Sequence, residues 1–423
     1  MNESETVEFK EKLNDKFEKE VVGFLNTTHG GSLYIGLKND GTPCGLENID
    51  QAELEIKDRI KNNISPSAMG LFEIVTPPKE DYIQIIISGG NQRPYYIKKY
   101  GMSPEGCYFR IGSSTEKMSE ETILSLFQKR DKRTLKNLVS PVQDLTFAYL
   151  TEAYEKKGYE VGDNFLAQLE FFTPEKEFNR LAYLLSDQFS QPIQYARYSG
   201  DDVFDLVESK TFVGQSLVKS AAELLSFIQS RNITSTKITP TGRVDEPLFQ
   251  PIAMRELVIN AIVHNDYREE GLPTFEEFSN RLEISSFGGL PEGFSKEDFL
   301  NGFSLPVNPE LIRVFRDLGY AERLGTGIRR ILRFYPKEIF RFSRSFLRAS
   351  LPFHLPESNR LTGENLATMV LDAIKQNPNI SRSDLAILLG KSEATIYRII
   401  QQLKNEGIIA REGGNKTGRW IIL

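Results

Sequence analysis

The chain has 423 residues, of which 39% are hydrophobic and 26% charged, with 28 Phe and 16 Tyr. That length exceeds one ordinary core and predicts two to four domains, while so many aromatics exclude intrinsic disorder. The formal net charge of −6 excludes a histone-like coating of nucleic acid, so any such contact must come from a local basic patch.

At the N-terminus, Glu3–Lys10 reads ESETVEFK. Glu18–Asn26 has helical spacing and stops before Gly30-Gly31, and Ser32–Lys38 and Tyr82–Ser88 read as strands. Asp40-Gly41 is a hairpin signal after the first of these strands. Glu120–Lys129 reads as a helix, and the run Lys129, Arg130, Lys132, Arg133, Lys136 reads as its solvated face. His29, beside Gly30, reads as a surface-loop residue.

The series Val7-Glu8-Phe9-Lys10, Asn26, Gly30-Gly31, Ile35-Gly36 and later Tyr108–Ser114 (YFRIGSS) resembles the Schlafen-type AlbA-like domain. The resemblance implies a nucleic-acid-binding or partner-binding module. Some eukaryotic Schlafen proteins cleave structured RNA with three acids, and Glu3 and Glu8 stand where the first two would be, with Lys10 alongside. The third position falls near Lys38 or Asn39, which are not acidic, with Asp40 one residue on. Metal-assisted cleavage needs convergent oxygen ligands. In the alternative reading Glu8 and Lys10 pair structurally and the glycines serve turns.

From 136 to 249 the pattern is mixed and carries no recognisable chemistry; Thr234–Pro247, rich in Thr, Pro and Gly, reads as a loop. Gln250–His264 (QPIAMRELVINAIVH) predicts a helix with Pro251 in its first turn. It is apolar almost all round, yet Glu256, Asn260 and His264 recur at i, i+4 and i+8 on one face. Such a stripe must be hydrogen-bonded or line a cavity. Two glycine turns follow. Ile284–Gly293 runs from a strand into Gly288-Gly289, and Glu322–Ile331 places Gly325-Thr326-Gly327 at a helix start, where backbone N–H groups favour phosphate.

In order, these three motifs resemble the ATP-binding fold shared by gyrase, histidine kinases and MutL-type proteins, in the divergent form of certain bacterial predicted regulators. The resemblance implies that Glu256 activates water, that Asn260 ligates Mg²⁺, and that Gly288, Gly289, Gly325, Thr326 and Gly327 contact ATP. The first glycine box has Ser285-Ser286 where that fold uses an adenine-recognising Asp. A vestigial site, with the stripe as a satisfied buried cluster, is the alternative.

Pro356–Gly363 reads as a linker. Beyond it, Asn365–Gln376 is a helix stopped by Asn377-Pro378, and Ser381-Arg382-Ser383-Asp384 has capping-box form before a second helix through Leu389. Ser392 caps a third, Glu393–Glu406, in which Ile396, Ile399, Ile400 and Leu403 form the buried stripe. Thr395, Tyr397, Arg398, Gln401 and Gln402 then face outward. Ile408–Arg411 and Arg419–Leu423 flank a glycine-rich tip and predict a two-stranded wing with Lys416 and Arg419 near its end. Residues 365–423 carry eight basic against five acidic side chains, a balance of +3. The unit resembles the winged helix-turn-helix of bacterial transcriptional regulators, which implies that Arg and Gln read the major groove while wing cations reach phosphates.

The expected fold class is α+β, multidomain: a Schlafen/AlbA-like α+β domain over 1–135, a mixed α/β connecting region over 136–249, an ATPase-like α/β sandwich over 250–356 and a winged helix-turn-helix over 364–423. The expected function is transcriptional regulation, with DNA, or else RNA, as partner, ATP and Mg²⁺ as candidate cofactors, and a homodimer or higher homo-oligomer as the working state. A Schlafen-type metal-dependent RNA or tRNA endonuclease of phage defence is the first alternative, and an ATP-driven conformational switch the second. With only Cys44 and Cys107, no apolar run of about 18 residues and no apolar leader in Met1 to Lys12, the chain is expected in the cytoplasm and not in a membrane.

Overall fold

Three hydrophobic cores, each closed by its own stretch of sequence, organise the chain. The computed structural model describes residues 3–78, 80–130, 133–239, 242–269, 271–321, 325–353, 363–389, 391–412 and 419–423. The fold is α+β and multidomain.

The N-terminal unit runs β1 (Val7–Lys10), α1 (Phe17–Leu25), β2 (Gly31–Ile35), α2 (Ile49–Asn63), β3 (Ile64–Ser65), β4 (Phe72–Val75), β5 (Ile83–Ile87), β6 (Tyr96–Ile97), β7 (Tyr108–Ile111), β8 (Ser114–Lys117) and α3 (Glu120–Lys129). Its sheet has the order β1-β2-β5-β4. β1 and β2 are parallel because α1 carries the chain back between them, and the remaining pairs are antiparallel. In β5 the apolar residues Ile83, Ile85 and Ile87 are buried on the side that meets α1 and α2. The predicted turn at Asp40-Gly41 is present, but its hairpin amounts to the single bridge Leu37–Pro43. No partner strand follows, since β2 already has β1 and β5 on its two edges.

The central unit contains α4 (Ala148–Lys156), α5 (Phe165–Gln168), α6 (Arg180–Leu185), β9 (Ile193–Tyr198), β10 (Leu206–Phe212), α7 (Leu217–Ser230), β11 (Thr234–Thr239), β12 (Gly242–Pro247), α8 (Pro251–Val263), β13 (Thr274–Glu277) and β14 (Arg281–Phe287). It continues with α9 (Lys296–Leu300), α10 (Pro309–Asp317), α11 (Gly327–Ile331), β15 (Phe340–Phe342) and β16 (Phe346–Pro352). Six strands form one sheet, β10-β9-β13-β14-β16-β15, with β9 and β13 parallel. The sheet therefore takes strands from both sides of residue 249, and one core joins Leu135 to Leu351. The physical reason is size: β9 and β10 alone are a ribbon that cannot bury its own face.

Two further expectations are corrected here. Thr234–Pro247 is not a loop but the hairpin β11–β12, for alternating β-branched residues outweigh the scattered Pro and Gly. The basic run after Lys129 does not continue the face of α3, which ends at that residue, and Lys132 lies outside the described residues. Arg130 instead turns inward to donate to the carbonyls of Arg93 and Pro94. Lys136 reaches Glu310 at 2.8 Å and Glu170 at 3.6 Å, and those two carboxylates hold its ammonium charged despite burial.

His29 lies, as expected, in the loop between α1 and β2, but it is tied down there. Its Nε2 lies 2.8 Å from Asp298 Oδ1 and its ring packs on Phe303 at 4.5 Å, both in the central unit. With Asn91 Nδ2 donating to Val307 O at 3.0 Å, it joins the N-terminal unit to the segment around α9.

The C-terminal unit is α12 (Gly363–Gln376), α13 (Arg382–Leu389), α14 (Glu393–Asn405), β17 (Ile409–Glu412) and β18 (Arg419–Ile422), closed around its own core. Most of the predicted linker and the glycine-rich wing tip lie outside the described residues, Lys416 among them.

Candidate functional sites

The central cavity is built on α8. Pro251 occupies its first turn, and Leu257, Val258, Ile259, Ile262 and Val263 are all buried. At roughly 1.5–3 kcal/mol each, that burial easily holds the helix in place and can carry a polar stripe. Glu256 is buried and its Oε1 faces Arg330 Nη1 of α11 at 3.4 Å. Asn260 and His264 continue the stripe into a cavity of about 150 Å³. Ser286, Gly288 and Gly289 line it from the end of β14, and Gly325 and Gly327 from the start of α11. Apolar walls come from Ile284, Phe294, Phe299, Phe303 and Leu347. Three motifs far apart in sequence thus meet at one place.

Two glycines are required there by geometry. Gly288 has φ +92°, the left-handed region that side chains avoid. At Gly327 a Cβ would lie 2.6 Å from Glu256 Oε2 and 3.4 Å from Asn260 Nδ2, so the second glycine turn presses directly on the polar stripe. Thr326, between the two lining glycines, is the N-cap residue of α11 and lies outside the lining. Burial among apolar side chains pushes His264 down to about 4, so its imidazole is neutral at physiological pH. Arg330 is a functional residue that the motifs alone do not single out. The signal was present as a cation three residues after Gly327, on the turn that faces Glu256.

In the N-terminal unit, Glu8 and Lys10 sit two apart on β1 and so point to one face. The Glu8 carboxylate is buried and pairs with Lys10 Nζ and, at 2.9 Å, with Arg110 Nη1. Arg110, from β7, has a wholly buried side chain. It also donates to Ser4 O at 2.7 Å and Glu5 O at 3.0 Å, lies 3.7 Å from Glu20 Oε2, and stacks on Phe24 at 4.4 Å. Glu3 stands apart from this network, its Oε1 accepting from Phe9 N at 3.3 Å. Asp40 is exposed and accepts from Thr42 N in its own turn. Among the described residues no group of three or more His, Cys, Asp or Glu side chains is placed to hold a metal ion. Arg110 belongs to the YFRIGSS stretch, but nothing in its spacing reveals that it neutralises Glu8.

In the C-terminal unit, Ser392 caps α14 by accepting from Thr395 N at 3.2 Å, and Ile396, Ile399, Ile400 and Leu403 are buried. Tyr397, Arg398 and Gln402 are exposed, whereas Thr395 and Gln401 are half-buried, with Thr395 hydroxyl held by Ser392. Thr395 is therefore a capping partner as well as part of the outer face. Arg382 of α13 packs over the Tyr397 ring at 5.4 Å, adding a cation to that face which the sequence reading left unassigned. Arg419 pairs with Glu412 across the wing at 2.9 Å.

Comparison with known proteins divides the chain in the same way. A Schlafen, AlbA_2 family model matches residues 3–119, a model described as putative ATP-dependent DNA helicase recG C-terminal matches 273–341, and a winged helix-turn-helix DNA-binding model matches 366–410. The second match begins after α8, so it leaves out Glu256 and Asn260. Among solved structures, the DIP2311 protein from Corynebacterium diphtheriae aligns over 99% of this chain and 92% of its own, at 17% identity and a TM-score of 0.47. The N-terminal domain of a putative ATP-dependent DNA helicase RecG-related protein from Nitrosomonas europaea aligns over 27% of this chain and 82% of its own, at 19% identity and a TM-score of 0.20. The search of curated proteins gives no match. The chain joins, in this order, a Schlafen AlbA_2 domain, a domain of the recG C-terminal, ATPase-like type and a winged helix-turn-helix.

Proposed function

We propose that this protein is a cytoplasmic transcriptional regulator of bacterial type, dimeric, whose C-terminal unit docks on DNA and whose central cavity binds a nucleotide. The exposed Tyr397, Arg398 and Gln402 face of α14 carries the reading, because a helix presenting these groups over a buried isoleucine stripe suits the major groove. Arg382 beside Tyr397 and Arg419 on the wing supply phosphate contacts.

The donor set of the cavity fits ATP with Mg²⁺. The apolar slot takes the ring, Ser286 and neutral His264 offer hydrogen bonds in place of the missing Asp, and Asn260 supplies an amide oxygen for the metal. The backbone of Gly325-Thr326-Gly327 cradles phosphate. Bound ATP would supply negative charge beside Asn260 and Arg330. The ion pair between Glu256 and Arg330 favours binding over hydrolysis, because a carboxylate held by a guanidinium is a weak base. The nuclease alternative draws no comparable support, since Glu8 is committed to Lys10 and Arg110.

The test begins by capturing genomic fragments on the full chain and titrating the enriched duplex. Arg398→Ala then costs about 1–3 kcal/mol on the preferred site and relaxes specificity there. Unchanged affinity in both Arg398→Ala and Tyr397→Ala, or no duplex captured at low salt, overturns the docking mode. For the cavity, calorimetry with ATP and Mg²⁺ shows binding that Asn260→Ala removes; absence of heat at millimolar ATP removes the nucleotide from the reading.

A further inference from the structure

Strand β10 is the outer edge of the central sheet, with β9 as its one neighbour among the described residues. Soluble proteins protect such edges, because a row of open N–H and C=O groups recruits another strand. This edge has a bulge between Leu206 and Glu208 and charges at Glu208 and Lys210, but it is apolar at both ends. Phe204 just before it is 79% exposed, and Val203, Leu206, Val207 and Val213 are each at least half exposed. Contiguous exposed apolar side chains on a strand edge mark a surface that something covers.

We infer that a second copy of this chain covers it, through antiparallel pairing of β10 with β10 about Ser209. A two-fold interface must be self-complementary, so each residue must suit the residue the symmetry places opposite it. About Ser209, Glu208 faces Lys210 of the second copy and Lys210 faces Glu208, giving two opposite-charge cross-strand pairs. Both side chains already point to the side of the sheet covered by α7, where Glu208 meets Arg231 at 3.0 Å and Lys210 lies 4.1 Å from the Phe227 ring centre. N-terminal to Glu208 the strand is bulged, with Leu206 opposite Tyr198 and Glu208 opposite Arg197 of β9, so the regular register begins at Glu208 and Leu206 and Val207 flank it as exposed apolar surface. A different protein would need this charge complement by coincidence, whereas a second copy carries it twice by symmetry. The two sheets become one continuous sheet of both chains. This deepens the dimeric reading above and rests on it.

The test uses the full chain in sedimentation velocity over a concentration series. Lys210→Glu sets Glu against Glu at two symmetric positions, and Val207→Lys places a charge on a residue already at the surface, so neither disturbs the buried core. Each weakens self-association about tenfold or more. Ser209→Cys on a Cys44→Ser background forms a disulfide-linked dimer under mild oxidation, because directly opposed residues of antiparallel strands have Cα atoms about 4.5–5.5 Å apart, within disulfide reach. A chain that is monomeric at every concentration overturns both the edge and the dimeric reading. A dimer that both charge variants leave intact, or that Ser209→Cys fails to cross-link, overturns the edge and leaves the dimeric reading standing.

Discussion

Replacing Arg110 by Met tests whether the Glu8 and Lys10 pair of the N-terminal unit is structural. The substitution keeps much of the apolar stem that packs on Phe24 but removes the guanidinium that pairs with Glu8 at 2.9 Å and approaches Glu20 at 3.7 Å. Both carboxylates are buried and Arg110 has no exposed side-chain surface. Lys10 still pairs with Glu8, but removing the guanidinium leaves the buried Glu8 and Glu20 carboxylates short of a cation, at a cost of about 3 kcal/mol. The carbonyls of Ser4 and Glu5 lose donors as well. For a unit of this size that is a fall in melting temperature of roughly 10 °C or more. The assay compares two signals. Far-UV circular dichroism follows the whole chain, while emission follows Trp420, the single tryptophan, which is buried in the C-terminal core and donates to Ile380 O at 3.0 Å. The variant brings forward the dichroism transition and leaves the Trp420 transition in place. Glu20→Gln added to Arg110→Met restores part of the loss, since it removes a buried charge that has lost its cation. A single variant that melts within a degree or two of the wild type refutes the reasoning.

Asn26→Ala removes a side chain whose amide donates to Tyr95 O and Tyr108 O and whose carbonyl accepts from Tyr95 N, at 2.7–2.9 Å in a buried setting. Leaving three backbone groups unpaired costs about 3 kcal/mol in urea unfolding, and a loss below about 1 kcal/mol refutes that count. The folded His264 has its pKa depressed to about 4, so the unfolded chain takes up that proton first as pH falls. Its contribution is intact above about 6.5 and declines toward 4, with a slope of at most about 1.4 kcal/mol per pH unit. His264→Gln flattens the profile between those limits, and an unchanged profile shows that the imidazole is not enclosed. Gly327→Ala drives a methyl into Glu256 and Asn260, so calorimetry with ATP and Mg²⁺ reads at least a tenfold loss if the cavity holds a nucleotide; equal affinity refutes the placement of that turn at the site.

Patterns confined to one element were legible in the sequence. The buried stripe of α14 is spaced at 3.6 residues, the cap at Ser392 is local, and Pro251 announces the first turn of α8, so these were placed to within a residue or two. The meeting of Glu256, Asn260 and Gly327 was legible only through the order of motifs, since no periodicity links residues some seventy positions apart. Thr234–Pro247 failed for the opposite reason. Its turn residues dominate a propensity count, while the alternation that makes β11–β12 is spread over two short strands.

What stayed hidden are the contacts whose two halves look ordinary alone. Arg130 and Lys136 belong to a run of cations that reads as solvated, and His29 to a glycine-rich loop. Each is half of a pair whose partner lies elsewhere: a proline carbonyl, Glu310 and Asp298. A cation near the end of a helix carries the same sequence signature whether it meets water or a buried carboxylate. The distinction arises only when a second element removes the water. At Lys136 that element is α10, whose Glu310 follows the helix-starting Pro309. Phe303 shows the same dependence from the other side. It lines the central cavity and also packs on His29, so one ring serves a wall of the cavity and the seam with the N-terminal unit. Neither role leaves a local pattern, because each is defined by residues more than two hundred positions away or by the closure of the cavity itself.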